Sequence, residues 1–394
     1  MAKQDPILTR RPSPPIPLSV LTGFLGAGKT TLLNTLLRDP ALSDTLVLIN
    51  EFGEVGLDHL LVERADGDMI VMSSGCLCCT IRGDLISTLE DLLKRRDNGR
   101  IRPFARVLIE TTGLADPAPV LHTIMFHPYL MLRYRLEGVI TLVDAVNGMA
   151  TLDVHPESVK QVAVADRIVL SKTDLVNSSA MKADLGDLIQ RLKALNPFAL
   201  TLLARSGESI ADNLFNMGLY DLESKSPDVR RWLNVEAIDA SHSQEAQGHG
   251  HDHKGHHHAH AHDVNRHDAS IRSFCLRSDA PLEPQSFDMF LDLLRQFHGP
   301  SLLRVKGIVG LTMDPDRPVV IHGVQHIFHP PVRLDAWPDA DHSTRFVFIL
   351  KDLKPEFIEK LWGAFAGIAR PDMPDKAALI SNPLAPSGRR GLLD

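Results

Sequence analysis

The stretch LSVLTGFLGAGKTT (residues 18–31) reads as a buried strand that breaks on a glycine and restarts as a helix. An apolar run from Leu18 to Thr22 is followed by Gly23, Gly26, Gly28, Lys29 and Thr30, the spacing G-x-x-x-x-G-K-[ST] of a phosphate-cradling loop. The chemistry needs these residue types. Glycines let successive backbone N–H groups close around phosphate oxygens, and the N-terminus of the following helix adds partial positive charge. Lys29 would reach the β and γ phosphates, and the Thr30 hydroxyl would ligate Mg²⁺. A plain glycine-rich turn is the bland alternative, and it leaves the Lys-Thr pair without a reason.

Outward from this loop, short apolar runs alternate with helical patterns. Leu18 to Thr22, Thr45 to Ile49, Met69 to Met72, Arg106 to Ile109, Val139 to Val143, Arg167 to Leu170 and Ala199 to Leu203 read as strands or apolar runs. Leu32, Leu33, Leu36 and Leu37, then Leu85, Ile86, Leu89, Leu92 and Leu93, then Leu185, Leu188, Ile189, Leu192 and Leu195 read as helix faces. This alternation implies an α/β fold, a P-loop NTPase domain with a mostly parallel sheet. Past residue 270 the chain resumes as a smaller α+β domain: strands over Ile271 to Leu276, Leu302 to Leu311, Pro318 to His322 and Arg345 to Leu350, helices over Ser286 to Gln296 and Pro355 to Phe365. The expected division is a flexible proline-rich lead (1–15), the P-loop domain (16–235), a His-rich disordered linker (236–270), the C-terminal domain (271–370) and a loosely structured tail (371–394). No internal repeat is visible.

Composition narrows the function. Of 394 residues 44% are apolar and 23% charged, which is ordinary for a globular chain and wrong for collagen or full disorder. A net charge of -7 supplies no basic field, so no nucleic-acid partner is expected. No stretch approaches a signal-peptide core or a membrane span, and the few cysteines do not form a disulfide framework. A cytoplasmic protein without a membrane partner follows as the expectation.

Downstream of the loop, SKTD (171–174) follows the strand ending at Leu170. Asp174 can accept from the guanine N1–H and exocyclic amine, and the Lys172 stem can lie over the ring. Adenine would leave that carboxylate unpaired. A helix N-cap is the alternative role for Asp174. Glu110 ends a strand where a P-loop protein senses the γ-phosphate, and Gly113 suits close backbone approach to phosphate. NEFGEVGLD (50–58) carries Glu51, Glu54 and Asp58, acids that could face Mg²⁺, the attacking water or a second metal, or simply solvent.

Cys76, Cys78 and Cys79 crowd before a helix expected to start around Asp84. Thiolates near a helix N-terminus are stabilised as anions and suit Zn²⁺ and related soft ions, leaving one position of a tetrahedral ion open for exchange. A redox switch, including a Cys78 to Cys79 disulfide, is the competing reading. Cys275 reads as a core cysteine. His322, His326 and His329 read as structural residues more readily than as ligands.

Histidine usage is skewed: ten of 19 fall between residues 242 and 267, where uniform scatter would place about one. His249, His251, His253, His256, His257, His258, His260 and His262 lack the apolar support that orients ligands, so they read as weak accessory metal sites. A solvated low-complexity run is the bland reading.

GFLGAGKTT, NEFGEVGLD, GCLCC, ETTGLADP and SKTD in this order, with LLRVKGI and IHGVQHIFHPPVRLDAWP near the C-terminus, resemble the CobW family of P-loop GTPases, regarded as metallochaperones. The resemblance runs from Leu18 to Phe365. It implies GTP at Gly26, Ala27, Gly28, Lys29, Thr30, Thr31, Lys172 and Asp174, and metal at Cys76, Cys78 and Cys79 with Glu54 and His127 as further candidates. One position departs: Ser171 stands where the motif more generally has asparagine, which implies a weaker grip on the base. The expectation is a slow GTPase using GTP and Mg²⁺, with Lys29, Glu51 and Glu110 in hydrolysis. It would deliver Zn²⁺, or Co²⁺, to an unknown client metalloprotein, with a nucleotide-dependent homo-oligomer as a further possibility. A metal-buffering protein with a regulatory nucleotide site is the alternative. A small-molecule kinase is disfavoured by Asp174.

Overall fold

Strand β1 (Ile16–Gly23) is buried at every position except Pro17. Burial on both faces is what a central parallel strand requires, and it explains why the run is continuously apolar instead of alternating. The structure, a computed structural model, describes residues 14–52, 69–74, 80–204, 211–215 and 271–366. After β1 come α1 (Lys29–Leu37), β2 (Thr45–Phe52), β3 (Met69–Ser74), α2 (Thr80–Asp97), β4 (Arg106–Thr111), α3 (Ala118–Phe126), α4 (Pro128–Arg133), β5 (Tyr134–Asp144), α5 (Gly148–Val154), α6 (Pro156–Ala163), β6 (Arg167–Ser171), α7 (Ser179–Leu195) and β7 (Leu200–Leu203). Among the described residues the seven strands form one parallel sheet in the order β3-β2-β4-β1-β5-β6-β7.

That order decides where a ligand can sit. From β1 the chain runs to one side of the sheet through β2 and β3, returns to β4, then crosses to β5, β6 and β7 on the other side. Such a reversal opens a crevice at the carboxyl ends of the central strands. The loops after β1, β4, β5 and β6 all emerge there.

The second sheet is antiparallel and contains β8 (Ile271–Ser278), β9 (Leu302–Leu311), β10 (Asp314–Val324), β11 (Ile327–Phe328), β12 (Val332–Arg333) and β13 (Thr344–Lys351). One face is covered by α8 (Pro284–His298) and α9 (Pro355–Phe365). In α8, Phe287, Phe290, Leu291 and Leu294 recur at helical spacing and are buried, each worth ~1.5–3 kcal/mol relative to exposure. The other face packs on the first sheet's helices: Leu303, Ile308, Val320 and Ile349 share a core with Val159 and Val162 of α6 and Leu188 and Leu192 of α7.

Charge accompanies this apolar contact. Asp166, just before β6, pairs with Arg304 and lies 3.2 Å from Lys306, all three buried. Arg304 and Lys306 together overcome the burial that would raise the Asp166 carboxyl and hold it at about 2. Burial pushes Lys306 down to about 8.

Several expectations shift. The helix after the cysteines begins at Thr80, not near Asp84. Helices α3 to α6 were not among the expected elements: they are short, and in α3 six of nine side chains are buried, which erases the polar face. Cys275 is half-buried, because β8 is an edge strand and only partly covered. Apart from residues 14 and 15, the lead falls outside the described residues, as do the His-rich segment and the stretch from 367 onward.

Candidate functional site

The phosphate loop is shaped by three glycines at positive φ: 142° at Gly23, 72° at Gly26 and 90° at Gly28. A Cβ on Gly23 would stand 2.5 Å from the Leu142 carbonyl oxygen, so neither the conformation nor the space admits a side chain. Helix α1 starts immediately after Gly28, placing its first-turn N–H groups at the crevice. Lys29 is buried, and its Nζ donates to the carbonyls of Gly23 at 2.9 Å and Phe24 at 3.4 Å. The ammonium is therefore already held over the loop that would cradle phosphate. Thr30 is half-buried beside it, and Thr31 is exposed.

The loop after β6 is stitched to this cradle. Ser171 is buried, and its hydroxyl lies 2.6 Å from the Ala27 carbonyl and 3.3 Å from the Val143 carbonyl, with Ala27 the nearer acceptor. Lys172 adopts a left-handed conformation (φ 55°) and its Nζ donates to Asp144 Oδ2 at 2.7 Å. Asp144, at the end of β5, also accepts from the amides of Val146 and Asn147 and from Asn147 Nδ2. Burial alone would raise the Asp144 carboxyl, but these hydrogen bonds, with Lys172 foremost, hold it below the usual range. Asp174 projects exposed from the following single turn.

Glu110 is buried at the carboxyl end of β4, in register with Leu21 of β1 and Ile49 of β2. Beyond it Gly113 presses on the phosphate loop: a Cβ there would lie 2.7 Å from the backbone N of Leu25. Gln161 of α6 donates to the carbonyls of Gly113 and Ala115. Between the phosphate loop and helices α5 and α6 opens a cavity of about 280 Å³ whose wall includes Phe24, Ala27, Asp144, Thr151, Gln161 and Lys172. Phe24 stacks on His155 at its edge, ring centroids 4.3 Å apart.

Residues 17–200 match the family model for the CobW/HypB/UreG nucleotide-binding domain, and residues 271–366 match the cobalamin synthesis protein cobW C-terminal domain. The chain belongs to the CobW family of P-loop GTPases. This CobW protein is 33% identical over 356 residues to the zinc chaperone YjiA of Escherichia coli K12, covering 90% of this chain and 99% of that one. It is 37% identical over 174 residues, 42% of this chain and 41% of the other, to the zinc-regulated GTPase metalloprotein activator 1 of Schizosaccharomyces pombe. The crystal structure of Zn(II)-bound YjiA GTPase superposes with a TM-score of 0.64 at 29% identity, over 90% of this chain and 99% of that one.

The fold of this CobW protein brings Gly23, Gly26, Ala27, Gly28, Lys29, Thr30, Gly113, Ser171 and Lys172 around one crevice. Glu51 lies in β2, one residue from the end of that strand, and only its backbone is described. His127 joins α3 to α4, and its Nε2 lies 3.9 Å from Glu90 Oε1. Cys76, Cys78, Cys79, Glu54 and the clustered histidines from 242 to 267 lie outside the described residues. Among the described residues no group of three or more His, Cys, Asp or Glu side chains could hold a metal ion. No helix among them is long and apolar enough to cross a membrane. His322 is buried and His326 exposed at the hairpin between β10 and β11, where His326 packs against His122 of α3.

Sequence reasoning missed Asp144 and Gln161. Asp144 had a usable signal, since an acid closing the long apolar run of β5 has to find a partner at the sheet's carboxyl end.

Proposed function

We propose that this CobW-family GTPase couples its nucleotide state to binding and delivery of a transition metal ion, Zn²⁺ first and Co²⁺ second, to a client metalloprotein. The carrying observation is the joining of the guanine loop to the phosphate loop through Ser171 and Ala27. It supports one nucleotide lying across both. In this reading Gly23, Gly26, Ala27, Gly28, Lys29, Thr30, Thr31 and Gly113 take the phosphates, and Lys172 and Asp174 take the base from a loop that Ser171 ties to the phosphate cradle. Lys29, Glu51 and Glu110 serve hydrolysis.

The Thr30 hydroxyl and the buried Glu110 carboxylate are hard oxygen donors at the phosphate end, a set that fits Mg²⁺. When bound there, the ion would neutralise charge developing on the β and γ oxygens.

The metal cargo is assigned to Cys76, Cys78 and Cys79, with Glu54 and His127 as additional ligands. Soft thiolates favour Zn²⁺, and the relatives named as zinc chaperones support that choice. His249, His251, His253, His256, His257, His258, His260 and His262 would gather metal weakly without selecting it. Cytoplasmic location, a nucleotide-dependent homo-oligomer, and the lack of nucleic-acid and membrane partners belong to the same proposal.

The test is zinc titration with a non-hydrolysable GTP analogue or GDP bound, on the full chain and on a chain lacking residues 242–267. One tight ion whose affinity differs about 5- to 150-fold between nucleotides is expected in both chains. Equal zinc affinities would refute coupled delivery. Several weak ions lost with the deletion would favour metal buffering.

A further inference from the structure

Helix α6 is short, yet its last turn reaches both the loop after β4 and strand β5. Gln161 is fully buried there. Its Nε2 donates to the Gly113 carbonyl at 3.2 Å and the Ala115 carbonyl at 3.0 Å, the two acceptors that flank Leu114 in the loop after Glu110. Two carbonyl acceptors on one end of the amide fix which end carries the nitrogen. The backbone carbonyl of the same residue accepts from Thr141 Oγ1 at 2.8 Å, which pins Gln161 to β5. Gln161 is thereby anchored, and the loop takes its position from it.

On its other side Gly113 meets the phosphate loop at Leu25, so close that a side chain would clash with backbone. Residues 112–116 are thus gripped between the phosphate loop and one glutamine. We infer that Gln161 is a positioning residue for GTP hydrolysis and for telling GTP from GDP. Its paired N–H bonds hold loop 112–116 so that Gly113, and Glu110 three residues before it, meet the γ-phosphate in a single geometry. This rests on the GTPase reading of the site.

The same helix leads directly into the residues that carry the second sheet. Asn196 Nδ2 donates to the carbonyls of Val162, Ala163 and Ala165, Arg304 Nη1 donates to Val164 O, and Arg304 pairs with Asp166. At the far end of the loop, Asp116 accepts from Gln325 Nε2 at 3.4 Å, and Gln325 is one of three non-glycine residues at positive φ among the described residues. A displacement of loop 112–116 is therefore felt by the C-terminal sheet at Asp116 and, through Gln161, at the base of α6.

Gln161→Met keeps the length and volume of the side chain and removes both donors. We expect kcat for GTP to fall about 10- to 100-fold with KM changed no more than about threefold, and the affinity ratio of GTP analogue to GDP to move toward one. A folded Gln161→Met protein with wild-type kcat and ratio would overturn the inference, as would a lowered melting temperature with unchanged turnover per folded molecule. If that variant does not fold, amide exchange of residues 112–116 in the wild-type chain decides: protection should differ between GTP analogue and GDP, and identical protection would overturn it. Absence of GTP turnover in the wild-type chain would instead remove the GTPase reading itself.

Discussion

Ser171 donates its hydroxyl to the Ala27 carbonyl across 2.6 Å, tying the loop after β6 to the phosphate loop 144 residues earlier in the chain. The motif more generally places asparagine here, and the fewer donors of serine imply a weaker grip on the base. The structure gives serine a different task. Its hydroxyl is committed to the phosphate loop, while Lys172 is oriented by Asp144.

Ser171→Ala should therefore weaken binding of GTP and GDP alike. One lost buried hydrogen bond is worth ~0.5–1.5 kcal/mol, a roughly 2- to 12-fold loss of affinity. Calorimetric titration of both nucleotides checks this. A loss confined to GTP would mean that Ser171 acts on the γ-phosphate side and not as a tether.

Asp166 lies before β6, at the opposite end of that strand from Ser171, and pairs with Arg304 and Lys306 out of contact with solvent. Removing one partner of a buried ion pair leaves its counterpart uncompensated, at ~3–5 kcal/mol. Asp166→Ala should lower stability by that order in urea unfolding, with GDP affinity of the folded protein unchanged. A loss below ~1 kcal/mol would show that the cluster adds little to the docking of the two sheets.

Acid should act first through two histidines. Burial, with Arg304 as the next cause, holds His329 at about 3, and burial followed by Lys306 and Arg304 holds His322 well below its ordinary range. Unfolded histidine binds its proton near ~6.5, so below that pH the unfolded chain takes up more protons than the folded one. Stability is full above ~6.5 and declines as pH falls toward 3. Asp166 contributes in the same direction but only below its unfolded value of ~3.9, which leaves pH 6.5 to 4.5 as a window for the histidines. His329→Gln should flatten the fall in melting temperature across that window, and an unchanged slope would reassign the effect.

The parallel sheet was legible because each central strand is buried on both faces and so reads as an unbroken apolar run. The helices packed on only one side, α7 and α8, were legible for the opposite reason: one face stays polar. Helices α3 to α6 were not. They are short, three of them carry proline in the first turn or at the N-cap, and α3 is buried nearly all round. Of these, α5 and α6 form much of the cavity wall beside the phosphate loop, and α6 carries Gln161.

By itself, the sequence determined the phosphate loop, the SKTD motif with its acid and the family, because those properties depend on residue types at fixed local spacing. Glycines at Gly23, Gly26 and Gly28, a lysine and a threonine in succession, and an acid three residues after Ser171 need no distant partner to be recognised. Only the tertiary structure decided that Ser171 serves the phosphate loop, that Asp144 orients Lys172, that Gln161 grips the loop after β4, and that Asp166 joins the two sheets. Each is a hydrogen bond or ion pair between residues 28 to 144 positions apart. Burial makes each such polar group find a partner, and the strand order, not the local sequence, decides which one is in reach.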